Sequence, residues 1–155
     1  MSDRHRNANI MDLAAFGFFL ISVGAVFLAV PDIADRLVNF FQDFSMQQLA
    51  PNLYLPAPLH YHPHVYFAFF VFCVVFGLLH IPLLAGRFWT NDRLRKKTRT
   101  LGSIIFWLGM AYISNLLVSQ SIGWFDFVGL FLIWAGVTVI TENAIVLAAP
   151  KKVNV

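Results

Sequence analysis

Four long runs of apolar residues constrain this chain more than any other feature of its sequence. They cover residues 13–30, 65–85, 101–118 and 127–149. A helix rises about 1.5 Å per residue, so about 20 residues cross the hydrocarbon core of a bilayer. The sequence therefore predicts an all-α membrane protein, in which a single domain of residues 1–155 forms an antiparallel bundle of four transmembrane helices.

The overall composition supports the same class. Of the 155 residues, 59% are apolar and only 12% are charged, whereas about a quarter of an ordinary soluble domain is charged. Such a chain cannot cover its own surface with polar groups, so the lipid bilayer is its expected surrounding. The one cysteine, Cys73, excludes an intramolecular disulfide and a CxxC redox pair.

Lysine and arginine residues are distributed unevenly around the four runs. Of the 11 basic residues, only Arg36 lies between the first and second runs. All the others precede the first run, follow the fourth, or lie between the second and third. The positive-inside rule therefore predicts a multi-pass integral membrane protein with both termini and a basic loop, residues 87–99, in the cytoplasm.

The segment between the first two runs is predicted to lie outside the membrane. Apolar residues recur at helical spacing in its first half and predict a short amphipathic helix at about 32–46. The second half, residues 50–58, contains three prolines. Because proline disrupts regular hydrogen bonding, we expect this part to cross the outer surface as an extended strap.

Three histidines alternate along the next few residues: His60, His62 and His64. In an extended backbone they would point the same way, and imidazole is a preferred ligand of copper and zinc. Pro63 and the helix that follows are expected to turn His64 away from the other two. We favour a location at the outer head-group boundary for these side chains, with a copper or zinc site and a ligand or partner contact as alternatives.

Ionisable residues also occur within or beside the apolar runs: Asp12, His80 and Glu142. Such residues are costly in a membrane and are often functional. Their distances from neighbouring basic residues place all three in the cytoplasmic third of the membrane. A pair formed by His80 and Glu142 could relay protons or bind a cation; alternatively, each side chain reaches water or a basic group at the interface.

Small residues line one face of two of the predicted helices. On the first helix this face contains Gly17 and Gly24, and on the fourth it contains Gly129 and Gly136, followed by Asn143 at the same seven-residue spacing. Small residues let helices approach closely. We expect these faces to pack inside the bundle, with contact between chains as the alternative.

No catalytic, nucleotide-binding or haem-binding motif is present in the sequence. We therefore expect a non-enzymatic membrane protein with a structural or subunit role, whose partners are the lipid bilayer and other membrane chains or copies of itself, and not nucleic acid. One alternative is a small channel or transporter that uses His80 and Glu142. The other is a metal-binding membrane protein that uses His60, His62 and His64.

Overall fold

The structure, a computed structural model, describes residues 2–90 and 94–148, with side chains from residue 13 onward in those ranges. Its elements are α1 (Ser2–Ala29), α2 (Ile33–Gln42), β1 (Phe44–Ala50), β2 (Leu53–Pro58), α3 (Pro63–Trp89), α4 (Leu94–Val118) and α5 (Trp124–Ala148). Helices α3, α4 and α5 are long and apolar enough to cross a membrane. The described part of α1, Leu13–Ala29, meets this criterion together with α2, from which it is separated by a bend of 89°.

The long helices pack side by side in the order α1, α3, α4, α5. Helices α4 and α5 are in contact, as the short connection of residues 119–123 between them requires. Helices α1 and α5 stand at the two ends of this series, and no extensive packing joins them within the described residues. The long helices therefore form an open series in place of a closed bundle.

The centre of the structure lies between α3 and α4. Cys73 of α3 and Met110 of α4 are fully buried there. One turn further along α3, Gly77 lets α4 approach, because a Cβ atom at this position would lie 2.9 Å from Cδ2 of Leu108. Phe76 packs edge-on against Trp107 on the same side. These contacts fix the two helices on which α1 and α5 rest.

The bend between α1 and α2 has a local cause. Pro31 follows the last turn of α1, and Asp32 has a φ of 56°, in the left-handed region. A left-handed residue cannot continue a right-handed helix, and aspartate tolerates this conformation better than most residues. Helix α2 then buries Ile33 and Phe40. It ends at Gln42, earlier than the predicted residue 46, because the chain enters β1 at Phe44.

The proline-rich segment corrects the all-α prediction. It forms strand β2, which pairs antiparallel with β1 through a register that runs from Phe44–Pro58 to Ala50–Leu53. The extended conformation was predicted, but the pairing was not. Both strands of a two-stranded sheet are edge strands. Proline, which has no N–H to donate to a neighbouring strand, is tolerated at such an edge.

The basic segment 87–99 also differs from the prediction of a loop. Arg87 belongs to the last turn of α3, and residues 94–99 form the start of α4. Lysine and arginine are good helix formers, so Arg87 and the charged residues from Arg95 to Arg99 are helical. Arg87 Nη1 donates a hydrogen bond of 3.1 Å to the Lys96 carbonyl oxygen and ties the two helix ends together.

Candidate functional site

Helix α2 and the β1–β2 hairpin form a cap over one end of the long helices, which we call the hairpin end. The opposite end, where α3 joins α4, is called the basic end. Phe40 lies at the centre of the cap and is only 7% exposed. Its ring centroid lies between 5.0 and 6.0 Å from those of four aromatic residues of other elements: Phe44, His62, Tyr66 and Trp124. One side chain thus connects α2 to the hairpin, to α3 and to α5.

Beside Phe40, two of the three alternating histidines bind one carboxylate. His60 Nδ1 lies 2.6 Å from Asp43 Oδ1, and His62 Nε2 lies 2.9 Å from Asp43 Oδ2. The His60 backbone N–H donates a third hydrogen bond of 2.7 Å to Oδ2. The Asp43 side chain is 14% exposed, whereas that of His60 is 79% exposed. The carboxylate therefore fastens the end of α2 to the segment that leads into α3.

These contacts favour the charged form of Asp43. The hydrogen bond from the His60 side chain is the largest cause, followed by those from the His60 backbone and the His62 side chain, and together they hold the pKa of Asp43 well below its ordinary value. A carboxylate that is stabilised only in the folded state contributes to folding stability. We therefore interpret the group of Asp43, His60 and His62 as a clasp for the cap, called the Asp43 clasp below.

The Asp43 clasp predicts a loss of stability in acid. Because the pKa of Asp43 is lower in the folded state, its contribution is complete at neutral pH and starts to be lost below about pH 4. Asp43→Asn should be less stable than the parent at neutral pH. Its side-chain N–H₂ group would replace a carboxylate oxygen and face one of the N–H groups that now donate to Asp43. It should also lose part of the acid dependence.

Thermal unfolding in detergent between about pH 7 and about pH 3 measures both effects. Asp35→Asn is the matched control on α2, because the Asp35 side chain is exposed and makes no hydrogen bond with the described residues. Equal pH profiles for Asp43→Asn and the parent would show that the Asp43 clasp contributes nothing.

The third histidine, His64, does not join the Asp43 clasp. It lines a recess beside α2, together with Arg36, Asn39 and the clasp residue His62. Residues 13–90 and 94–148 contain no group of three or more His, Cys, Asp or Glu side chains arranged to hold a metal ion. The copper or zinc site at His60, His62 and His64 stays a prediction from the sequence.

Asp43 itself was missed by the sequence analysis. It lies 17 residues before His60, beyond the reach of a local spacing pattern. The available signal was an acidic residue near the end of the predicted helix 32–46. A partner this distant becomes visible only when the hairpin returns the chain to the end of α2.

Beneath the cap, an apolar cleft of about 400 Å³ lies between α1 and α5. Ala68 of α3 and Leu117 of α4 are among the residues that line it. Helix α2 contributes Ile33, Leu37 and Phe40. No lining residue is charged. The volume lies within the range of roughly 300 to 1,000 Å³ that is typical of small-molecule sites. A lining of this kind suits a hydrocarbon chain better than a polar ligand.

His80 binds to its own helix. Its Nδ1 donates a hydrogen bond of 2.7 Å to the Phe76 carbonyl oxygen, and its ring packs edge-on against the Phe76 ring at 4.5 Å. The side chain is buried, so this local bond satisfies one of its two ring nitrogens. No hydrogen bond or ion pair connects His80 to Glu142 within the described residues.

Glu142 packs against α4 at the basic end. A Cβ atom at Gly102 would lie 1.9 Å from the Glu142 carboxylate oxygen Oε1, so the absence of a side chain at Gly102 makes room for it. The two members of the possible pair, His80 and Glu142, thus have different partners among the described residues. The third ionisable residue predicted near the membrane, Asp12, lies outside the residues whose side chains are described.

The glycine faces of α1 and α5 do not pack inside the chain, so this expectation was wrong. Nothing lies within 4 Å of a Cβ atom placed at Gly17, Gly24, Gly129 or Gly136. On α5, Gly129 is nine residues from the buried Thr138, which is about 180° around the helix. The face with Gly129 and Gly136 therefore points away from α4.

The glycines that do allow close packing lie on α3 and α4. Besides Gly77 and Gly102, Gly109 faces Trp134 of α5 so closely that a Cβ atom would lie 2.1 Å from Cε2 of the indole. Trp134 Nε1 donates a hydrogen bond of 3.1 Å to the Phe106 carbonyl oxygen across the same contact. Gly102 and Gly109 also have seven-residue spacing, a signal that the sequence analysis could have used.

Comparison with protein-family models, curated proteins and solved structures gives no match to this chain.

Proposed function

We propose that this chain is a non-enzymatic, multi-pass membrane protein with a structural role, as a subunit of a membrane complex or as a homo-oligomer. The observation that carries the proposal is the exposure of α5. Thr138 is the one residue of this 25-residue helix that is buried within the chain. On another face, a Cβ atom placed at Gly129 or Gly136 would meet no described atom within 4 Å.

The physics of helix association in lipid supports an interface at this face. Lipid chains are as apolar as the helix surface, so close van der Waals packing, and not hydrophobic burial, holds membrane helices together. Small residues permit that packing, as Gly109 does between α4 and α5. An open face with two glycines seven residues apart is suited to a helix of another chain.

The double substitution Gly129→Leu, Gly136→Leu tests this interface. We expect the parent to have a mass greater than one chain in mild detergent or in a lipid nanodisc, and the double variant to shift to the mass of a monomer. Unfolding of the monomer should change little, because both side chains would enter open space. Native mass measurement and thermal unfolding report the two properties separately.

Gly24→Leu on α1 is the control, since its glycine also faces open space but lies on another helix. A parent that is a lone monomer in a bilayer would contradict the proposal. So would an assembly whose mass does not respond to leucine at Gly129 and Gly136.

We further propose that the basic end faces the cytoplasm, as the positive-inside rule predicts. Single cysteines placed at Gln47 or Asn52 of the hairpin should react with a membrane-impermeant reagent added outside, while one at Asn91 should not. The background for these variants is Cys73→Ala, because Cys73 is the only native cysteine. The reverse labelling pattern would invert the orientation, and equal labelling at both ends would argue against a crossing.

The two alternative functions have less support. A channel or transporter that uses His80 and Glu142 requires these side chains to meet between chains, because inside the chain each packs against a different partner. A metal-binding role requires His60 and His62 to exchange their bonds to Asp43 for bonds to an ion. Neither role gains a specific supporting contact in the described residues.

A further inference from the structure

A polar recess of about 520 Å³ lies at the basic end, between the start of α4 and the last turns of α5. Most of the residues that line it are charged or polar. Those residues are Arg95, Lys96, Thr98, Arg99, Glu142 and Asn143.

The charges of this recess are unfavourable for the chain by itself. A helix N-terminus carries a partial positive charge and is stabilised by acidic residues, yet the first turn of α4 contains no acid and begins with Leu94, Arg95 and Lys96. Arg95 and Arg99 are four residues apart, a spacing at which like charges repel each other. The cost of this arrangement falls when an anion binds.

Glu142 does not cancel these charges. Among the described residues it is the one acid that lines the recess, and it forms no ion pair there with Arg95, Lys96 or Arg99. Among the described lining residues, three cations therefore outnumber one carboxylate. The position of Glu142 also means that its charge opposes any anion that binds there.

We propose that this recess binds the phosphate group of an anionic membrane lipid. Arginine side chains bind phosphate with paired hydrogen bonds, and a helix N-terminus offers free N–H groups to the same oxygens. Basic residues at the ends of transmembrane helices attract anionic head groups. Because α4 and α5 are both long enough to cross a membrane, a recess at their shared end lies at the depth of those head groups.

The test uses the full chain in detergent, titrated with short-chain phosphatidylglycerol and followed by native mass spectrometry. Short-chain phosphatidylcholine and inorganic phosphate are titrated in parallel. We expect saturable binding of phosphatidylglycerol that weakens roughly fivefold with Arg95→Gln and again with Arg99→Gln. Glu142→Gln should strengthen binding, because it removes the opposing charge.

Lys97→Gln is the matched control, since it removes the same charge from the same turn of α4. Lys97 does not line the recess; its ammonium lies over the Phe88 ring, 4.5 Å from the centroid. Phosphatidylglycerol binding that exceeds phosphatidylcholine binding and responds to Arg95 but not to Lys97 supports the lipid. Inorganic phosphate that competes at equal concentration identifies free phosphate as the ligand. Equal effects of Arg95→Gln and Lys97→Gln, or no saturation, would overturn the site.

Discussion

Replacing Phe40 with alanine should release the cap from the long helices and lower the free energy of unfolding by about 3 to 5 kcal/mol. The Phe40 side chain is buried beneath α2 and contacts rings of the hairpin, α3 and α5. Alanine would remove all of these contacts and extend the apolar cleft, of which Phe40 forms part of the lining. The surrounding aromatic residues come from separate elements, so they cannot refill the space without moving the cap.

Phe41→Ala is a closely matched control, since it removes the same side chain from the next position of α2. Phe41 is 70% exposed, so its loss should cost much less. Thermal unfolding measures the stability of both variants, and limited proteolysis between residues 31 and 62 reports release of the cap. If the two variants unfold alike and their caps are equally resistant to protease, Phe40 does not anchor the cap.

Gly109→Ala should lower the free energy of unfolding by about 1 to 3 kcal/mol, although alanine is the better helix former. The added Cβ would lie 2.1 Å from Cε2 of Trp134, so the indole must move. Movement would also break the hydrogen bond from Trp134 Nε1 to the Phe106 carbonyl oxygen. Because an indole ring is rigid and lies between α4 and α5, the two helices must separate to accept one methyl group.

Gly24→Ala provides the comparison, because a Cβ atom there meets nothing within 4 Å. It should be neutral or stabilising by up to about 1 kcal/mol, the intrinsic difference between glycine and alanine in a helix. Unfolding of both variants in the same detergent separates packing from helix propensity. Equal stability of Gly109→Ala and Gly24→Ala would mean that α4 and α5 do not meet at Gly109.

The apolar runs predicted the long helices well, because the properties that define such a helix are local to its own sequence. A helix satisfies its own backbone hydrogen bonds, and the thickness of a bilayer sets the length of its apolar run. Both properties can be read without knowing any neighbour. The amphipathic pattern of α2 was predictive only in part: Ile33 and Phe40 are buried, whereas Leu37 and Phe41, which follow the same helical spacing, are exposed.

The arrangement of these helices required the tertiary structure. Glycines recur at seven-residue spacing on both α4 and α5, yet Gly109 meets Trp134 while Gly129 and Gly136 meet nothing. The seven-residue spacing shows that small residues share one face of a helix, but it does not show which helix packs against that face. The packing order of the helices decides that question, and it depends on contacts between distant parts of the chain.

In the cap, too, some features follow from the sequence and others only from the tertiary structure. The sequence by itself determined that residues 53–58 are extended, because proline restricts the backbone locally. Only the tertiary structure decided that this segment pairs with β1, and that His60 and His62 bind Asp43 from 17 and 19 residues away. The Asp43 clasp forms where the hairpin returns the chain to the end of α2. Sequence periodicity reports neighbours within one helix or strand, so it cannot predict a contact between residues this far apart.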